Sequence, residues 1–251
     1  MSEQEQKRRR GGGRAGNALR RGSASIEQMP WHLPINNDSP TEPLNEAGIM
    51  AIHEGAMRIL EEIGVEFLNE KALRILKKAG CKINEQNVRM DRHFVMEMVA
   101  KAPSTFDITP RNAKRKITVG GPYILFGNVS SPPAYWDLEI NKKIPGSREM
   151  CANFCKLSQY FNCIHFLGGY PVEPVDLHPS TRHLDAVFDK LILSDKVAHA
   201  YSLGKERVED VMEMVRIAGN LSHDEFEASP KMFTNINSTS PLKHDEPMLD
   251  G

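Results

Sequence analysis

The chain has 251 residues, with 32 Lys and Arg against 33 Asp and Glu and a formal net charge of −1. Hydrophobic residues make up 40% and charged residues 26%, which excludes collagen-like, wholly disordered and disulfide-scaffold chains. Four cysteines and no recognisable secretory signal point to a reducing compartment, so a cytoplasmic protein is expected, and no apolar run approaches the ~18 residues that a membrane span requires.

The charge is unevenly spread. Residues 1–21 carry seven basic groups (Lys7, Arg8, Arg9, Arg10, Arg14, Arg20, Arg21) and two acids (Glu3, Glu5). This run is glycine-rich and lacks apolar periodicity, and prolines follow at 30, 34, 40 and 43. Residues 1–45 are therefore expected to be a basic, Gly/Pro-rich, disordered tail, which Trp31 and Leu33 can tack onto a neighbouring surface. Arginine-rich arms bind nucleic acid by counterion release, but no aromatics interleave residues 1–25, so a solvated arm is favoured over a nucleic-acid partner.

Residues 46–103 read as a helical module. Asn45 is a helix N-cap, and Ile49, Ile52, Ala56, Ile59, Leu60 and Ile63 recur at helical spacing until Gly64. A second helix carries Ala72, Leu73, Leu76 and Ala79 ahead of Gly80. A third runs over about 91–100 with Phe94, Val95, Met98 and Val99 inward.

From 104 the period shortens to that of strands, over 105–109 and 116–119, followed by the apolar run 123–127 and a hairpin over 134–140 and the residues beyond it. A βα rhythm follows: a helix from Gly146-Ser147, a strand at 165–169, a helix over 179–193, a strand at 197–203, a helix over 205–220 and a strand at 231–237. Ser240-Pro241 and His244-Asp245 lead toward another helix. Strands starting near 123, 165, 198 and 231 alternate with helices, which means a parallel sheet. A closed (β/α)8 barrel takes about 250 residues for the barrel alone. The expected fold class is thus α/β, with residues 104–251 supplying β-hairpin elements and the first half, about four βα units, of such a barrel. Half a barrel leaves a sheet edge unpaired, so poor solubility, swapping or lack of activity is expected of it in isolation.

No metal motif is recognised. Cys151 and Cys155 share a helix face with Cys163 nearby, which suits zinc on spacing alone, but buried apolar packing is the stronger reading. Gly11-Gly12-Gly13, Gly120-Gly121 and Gly168-Gly169 all lack the strand–turn–helix context of a phosphate loop. The informative positions are the carboxyl ends of the strands, where barrel loops converge. They hold Asn128, Ser130, Tyr170, Tyr201, Asn235 and Asn237, our candidate substrate-binding residues. Acids and bases are nearly absent there, although Glu173 lies close by. Such a set orients a polar or cationic ligand rather than moving protons. Aromatic faces such as those of Tyr170 and Tyr201 attract quaternary ammonium ions, or simply pack at the rim.

Several stretches taken together resemble one family: the tail ArgArgGlyGlyGlyArgAla, the helix IleHisGluGlyAlaMetArgIleLeuGluGluIleGlyValGluPhe (52–67), and the span from HisPheLeuGlyGlyTyrProValGluPro to AsnSerThrSerProLeuLys. They are similar to the trimethylamine methyltransferase family, at roughly the N-terminal half of a typical member. The resemblance implies a TIM-type barrel with a helical N-terminal extension. It also implies transfer of a methyl group from a methylated amine to the cobalt of a cobalamin (corrinoid) presented by a cognate corrinoid protein, and a homo-oligomer for the full-length chain. One branch of the family carries pyrrolysine and takes trimethylamine; a larger branch lacks it and includes enzymes for quaternary amines such as glycine betaine. The family's loop after the first barrel strand is usually more glycine-rich than the AsnValSerSerProPro found here at 128–133. The catalytic residues are not assigned by the resemblance. A non-catalytic ligand-binding or interaction module on a partial βα barrel is the competing expectation.

Overall fold

The computed structural model describes residues 26–251, so the basic part of the expected arm lies outside the described residues. Helix α1 (Glu46–Arg58) starts where Asn45 accepts a hydrogen bond from the Gly48 N–H at 2.9 Å. It runs on into a π-helical turn, Ile59–Ile63, which Gly64 ends at φ 85°. A side chain at Gly64 would strike the Val88 carbonyl, so the turn requires glycine. Helices α2 (Glu70–Lys78) and α3 (Arg92–Lys101) are capped by the Asn69 and Asp91 side chains. Between these helices run β1 (Val65–Phe67), β2 (Lys82–Asn84) and β3 (Asn87–Arg89). At three residues each, they are too short to register as alternation in the sequence.

Strands β4 (Thr105–Ile108) and β5 (Ile117–Gly120) pair antiparallel, and β6 (Ala134–Asp137) and β7 (Lys142–Pro145) form the expected hairpin. Then come α4 (Arg148–Tyr160), β8 (Phe166–Leu167), α5 (Arg182–Leu193), β9 (Val197–Tyr201), α6 (Lys205–Ala218), α7 (His223–Glu227) and β10 (Met232–Asn235). Strands β8, β9 and β10 lie side by side and parallel, in the order β10-β9-β8. The run 123–127 makes only single bridges, from Tyr123 to Ile35 and from Gly127 to Phe166. His165 takes over part of the missing ladder: its Nδ1 accepts from the Phe126 N–H at 2.9 Å, while its own backbone N–H donates to the Phe126 carbonyl at 2.7 Å.

The chain then returns to its start. Strand β11 (Lys243–His244) lies parallel to β1, completing a sheet in the order β11-β1-β3-β2, and α8 (Glu246–Asp250) follows behind an Asp245 cap. The Asn69 amide donates to Asp250 Oδ1 at 2.8 Å, and Lys243 pairs with Glu66 at 3.0 Å. The protein is a mixed α/β structure of helices and several small sheets. Among the described residues these sheets do not close into a barrel. No helix there is long and apolar enough to cross a membrane.

Strand alternation divides the parallel sheet into two faces. Ala198 and Ala200 pack toward the helices against Val187 of α5 and Val211 and Val215 of α6. Val197, at the start of β9, meets Ile108 and Ile117 of the β4–β5 pair, with Trp31, Leu33 and Phe166 around them. The β4–β5 pair therefore closes the amino-terminal side of the sheet, and the opposite end of the strands is left open. Arg148 fixes α4 to α5 through Asp185 at 2.6 Å and Asp189 at 2.7 Å.

Candidate active site

The carboxyl ends of β8, β9 and β10 open onto a cavity of about 510 Å³. Asn128, Ser130, Tyr201, Asn235 and Asn237 line it, together with Phe166, His199, Phe233 and Met248 among others. Five of the six residues expected from strand ends thus come together. Tyr170 does not line this cavity. Its ring is 7% exposed and packs with Cys151, Val172 and Ala186 on the helix side, touching Tyr201 with ring centroids 5.0 Å apart.

The polar lining is held in place by its own hydrogen bonds. Asn128 Oδ1 accepts from the Gly168 N–H at 3.0 Å, and its amide donates to the Val129 carbonyl at 2.6 Å, which ties the first loop to the end of β8. The Tyr201 hydroxyl gathers three neighbours: Ser130 Oγ at 2.7 Å, Ser131 Oγ, and the Tyr170 N–H at 3.3 Å. Gly169, at φ 105°, makes room for this knot, since a Cβ there would overlap the Tyr201 hydroxyl. The tyrosine is thus pinned at its tip while lining the cavity. Glu173, the nearest acid anticipated at the strand ends, is engaged by Arg182 at 2.7 Å.

Beneath these polar groups lies an aromatic row that the sequence reading does not anticipate. His199 and Phe233 are register partners, as are Tyr201 and Asn235 one layer higher. Ring centroids run Phe166–Phe233 at 5.3 Å, Phe233–His199 at 4.9 Å and His199–Tyr201 at 4.9 Å. The signal is present in ValAlaHisAlaTyr: period-2 alternation places His199 on the same face as Tyr201. His199 is 6% exposed, and burial, reinforced by the Lys190 charge, pushes its imidazole down to about 4, so the ring is neutral at physiological pH. None of the described residues lining the cavity is Asp, Glu, Lys or Arg.

Thiols and metals lie elsewhere. Cys151 and Cys155 are buried in the α4 core face, Cys163 is exposed, and among the described residues no group of three or more His, Cys, Asp or Glu side chains converges as a metal site.

A match to the trimethylamine methyltransferase family extends over residues 9–251. The chain belongs to that family. It is 34% identical over 206 residues to a glycine betaine methyltransferase of Desulfitobacterium hafniense (strain Y51), covering 82% of this chain and 43% of that protein. It is 25% identical over 202 residues to the trimethylamine methyltransferase MttB of Desulfitobacterium hafniense (strain DSM 10664 / DCB-2), covering 78% of this chain and 39% of that protein. The chain therefore spans about two fifths of the length of these curated relatives.

Proposed function

We propose that this family member takes part in moving a methyl group from a methylated amine to the cobalt of a corrinoid protein, and that the cavity at the strand ends holds the amine. The observation that carries this reading is the lining itself. A neutral row of aromatic rings, capped by amides and hydroxyls and free of charged side chains, suits a soft cation such as a tri- or tetra-alkylated ammonium. The names of the two relatives, glycine betaine and trimethylamine methyltransferases, fall in the same substrate class. In this account β8, β9 and β10 with their helices belong to the opening portion of a (β/α)8 barrel, and the cavity takes the position where such barrels place their sites.

The chemistry asks for positioning more than proton transfer. Breaking the carbon–nitrogen bond leaves its electron pair on nitrogen, so the cationic donor departs as a neutral amine and no general acid is needed. The corrinoid protein, as methyl acceptor, supplies the electron pair for the new bond. The residues here hold the ammonium, orient one methyl group toward the open mouth and exclude competing ligands. A neutral His199 fits that role, because an imidazolium would repel the cation. Incubation with a reduced corrinoid protein and either trimethylamine or glycine betaine tests the reading. Methylation of cobalt, followed by its absorbance, together with formation of the demethylated amine, is the expected result. Unchanged cobalt across a panel of tertiary and quaternary amines would overturn it.

A further inference from the structure

Behind the cavity wall, on the helix side of β9, lies a cation that the proposed reaction does not use. Lys190 of α5 is 1% exposed. Its ammonium donates to the His199 carbonyl at 3.2 Å and lies 5.7 Å from the centroid of the Tyr170 ring. Among the described residues no carboxylate forms an ion pair with it, since the neighbouring Asp189 is taken by Arg148 at 2.7 and 3.0 Å. The buried thiols of Cys151 and Cys155 are its other electrostatic neighbours. A buried ammonium without a counter-ion is costly, and helix positions facing a sheet are ordinarily apolar, as Val187 is here.

We propose that Lys190 is a positioning residue for the ammonium site, holding the His199 ring in the cavity wall through the carbonyl of that same residue. This rests on the cavity reading given above. Three observations support it. The hydrogen bond falls on the residue whose ring sits mid-row, between Phe233 and Tyr201. The ring is only half fixed from its own side, because the Asn235 side chain of β10 hydrogen-bonds to it while its Nδ1 is buried without a hydrogen-bond partner among the described residues. The lysine's charge also disfavours a second positive charge on the imidazole, which keeps the wall neutral toward a cationic ligand.

The groups around His199 are few. Lys190 approaches from α5, Tyr201 from the same strand, and β8 and β10 contribute Phe166, Phe233 and Asn235. Behind the strand, Tyr170, His183 of α5 and Arg207 of α6 border a small void that also reaches His199. Cys151 and Cys155 act on Lys190 rather than on the ring directly.

Calorimetric titration with tetramethylammonium chloride from pH 8 to pH 5 tests the proposal on three proteins: unaltered, Lys190→Met, and Lys190→Met with His199→Phe. The unaltered protein is expected to bind with a flat pH profile. Lys190→Met should bind comparably at pH 8 but lose affinity progressively toward pH 5, because burial still holds the imidazole down while the lysine charge that reinforced it is gone. Adding His199→Phe should flatten the profile again, which a merely structural lysine would not produce. Identical pH profiles for Lys190→Met and the unaltered protein would overturn the proposal while leaving the cavity reading intact. Absence of tetramethylammonium binding by the unaltered protein would overturn both. If Lys190→Met fails to fold, the histidine ring resonances of the unaltered protein decide: His199 should remain neutral down to pH 5, and titration near pH 6.5 would refute the idea.

Discussion

Replacing Lys190 by methionine should make the protein more stable. The lysine is buried on every side, and burial pushes its ammonium down from 10.5 to about 8. At about 1.36 kcal/mol per tenfold change in proton affinity, keeping it charged at neutral pH costs on the order of 3 kcal/mol. Methionine has similar length, fills irregular space and carries no charge. The hydrogen bond to the His199 carbonyl and the contact with Tyr170 are lost in exchange, so a net gain of about 1–3 kcal/mol is expected at pH 7. The sign with pH follows from linkage. Between about pH 8 and 10.5 the unfolded chain still holds this proton while the folded protein has released it, so stability rises with pH across that window and is flat below it. Urea unfolding followed by circular dichroism at pH 7 and pH 10 measures both effects. The difference between the two proteins isolates the lysine from other groups that titrate in the same range. A Lys190→Met variant less stable than the unaltered protein at pH 7, or a rise in stability over pH 8–10 that is equal in the two proteins, would show that the ammonium is not under the strain described.

At His199 the slope has the same sign but lies at lower pH. The unfolded imidazole takes up its proton near pH 6.5 and the folded one near 4, so stability should fall by about 2–3 kcal/mol between those values, and His199→Phe should remove that slope in pH-dependent unfolding. Gly169→Ala places a methyl group on the Tyr201 hydroxyl at a left-handed φ; thermal unfolding should report a loss of about 1–3 kcal/mol, with ammonium binding weakened alongside. Tyr201→Phe keeps the ring and loses the hydroxyl's bonds with Ser130, Ser131 and the Tyr170 N–H, whereas Tyr201→Leu should reduce tetramethylammonium affinity by roughly tenfold more, equal affinities for the two arguing against a cation–π wall. Ile117→Ala, beneath the sheet and 1% exposed, should cost about 2–5 kcal/mol in urea unfolding without changing the pH profile of binding.

Much of the architecture is readable from periodicity. The helices α1 to α6 and strands β9 and β10 carry long, clean patterns, and each falls within a few residues of its expected place. The strands β1, β2, β3 and β11 are invisible to such reading because two or three residues cannot show alternation, and because their pairing depends on the chain returning from residue 243 to residue 66. The run 123–127 has the apolar content of a full strand. In the fold its ladder is partly replaced by the His165 side chain, an interaction no local pattern encodes. At the site, the rule that barrel chemistry gathers at strand ends identifies the polar rim but not the wall. Tyr170 and Tyr201 both end a strand and so are expected together, yet the left-handed turn at Gly169 sends the Tyr170 ring to the helix side. His199, Phe166 and Phe233 lie deeper, and only register between separate strands brings them into one row.

The most direct test of the account is where a methylated ammonium binds. Nuclear Overhauser contacts between the methyl protons of tetramethylammonium and the aromatic protons of the protein would locate it. Contacts to the rings of His199, Tyr201 and Phe233, lost in Tyr201→Leu, are the predicted result. Contacts confined to surfaces away from the strand ends, or none at saturating ligand, would contradict the assignment of this cavity as the amine site.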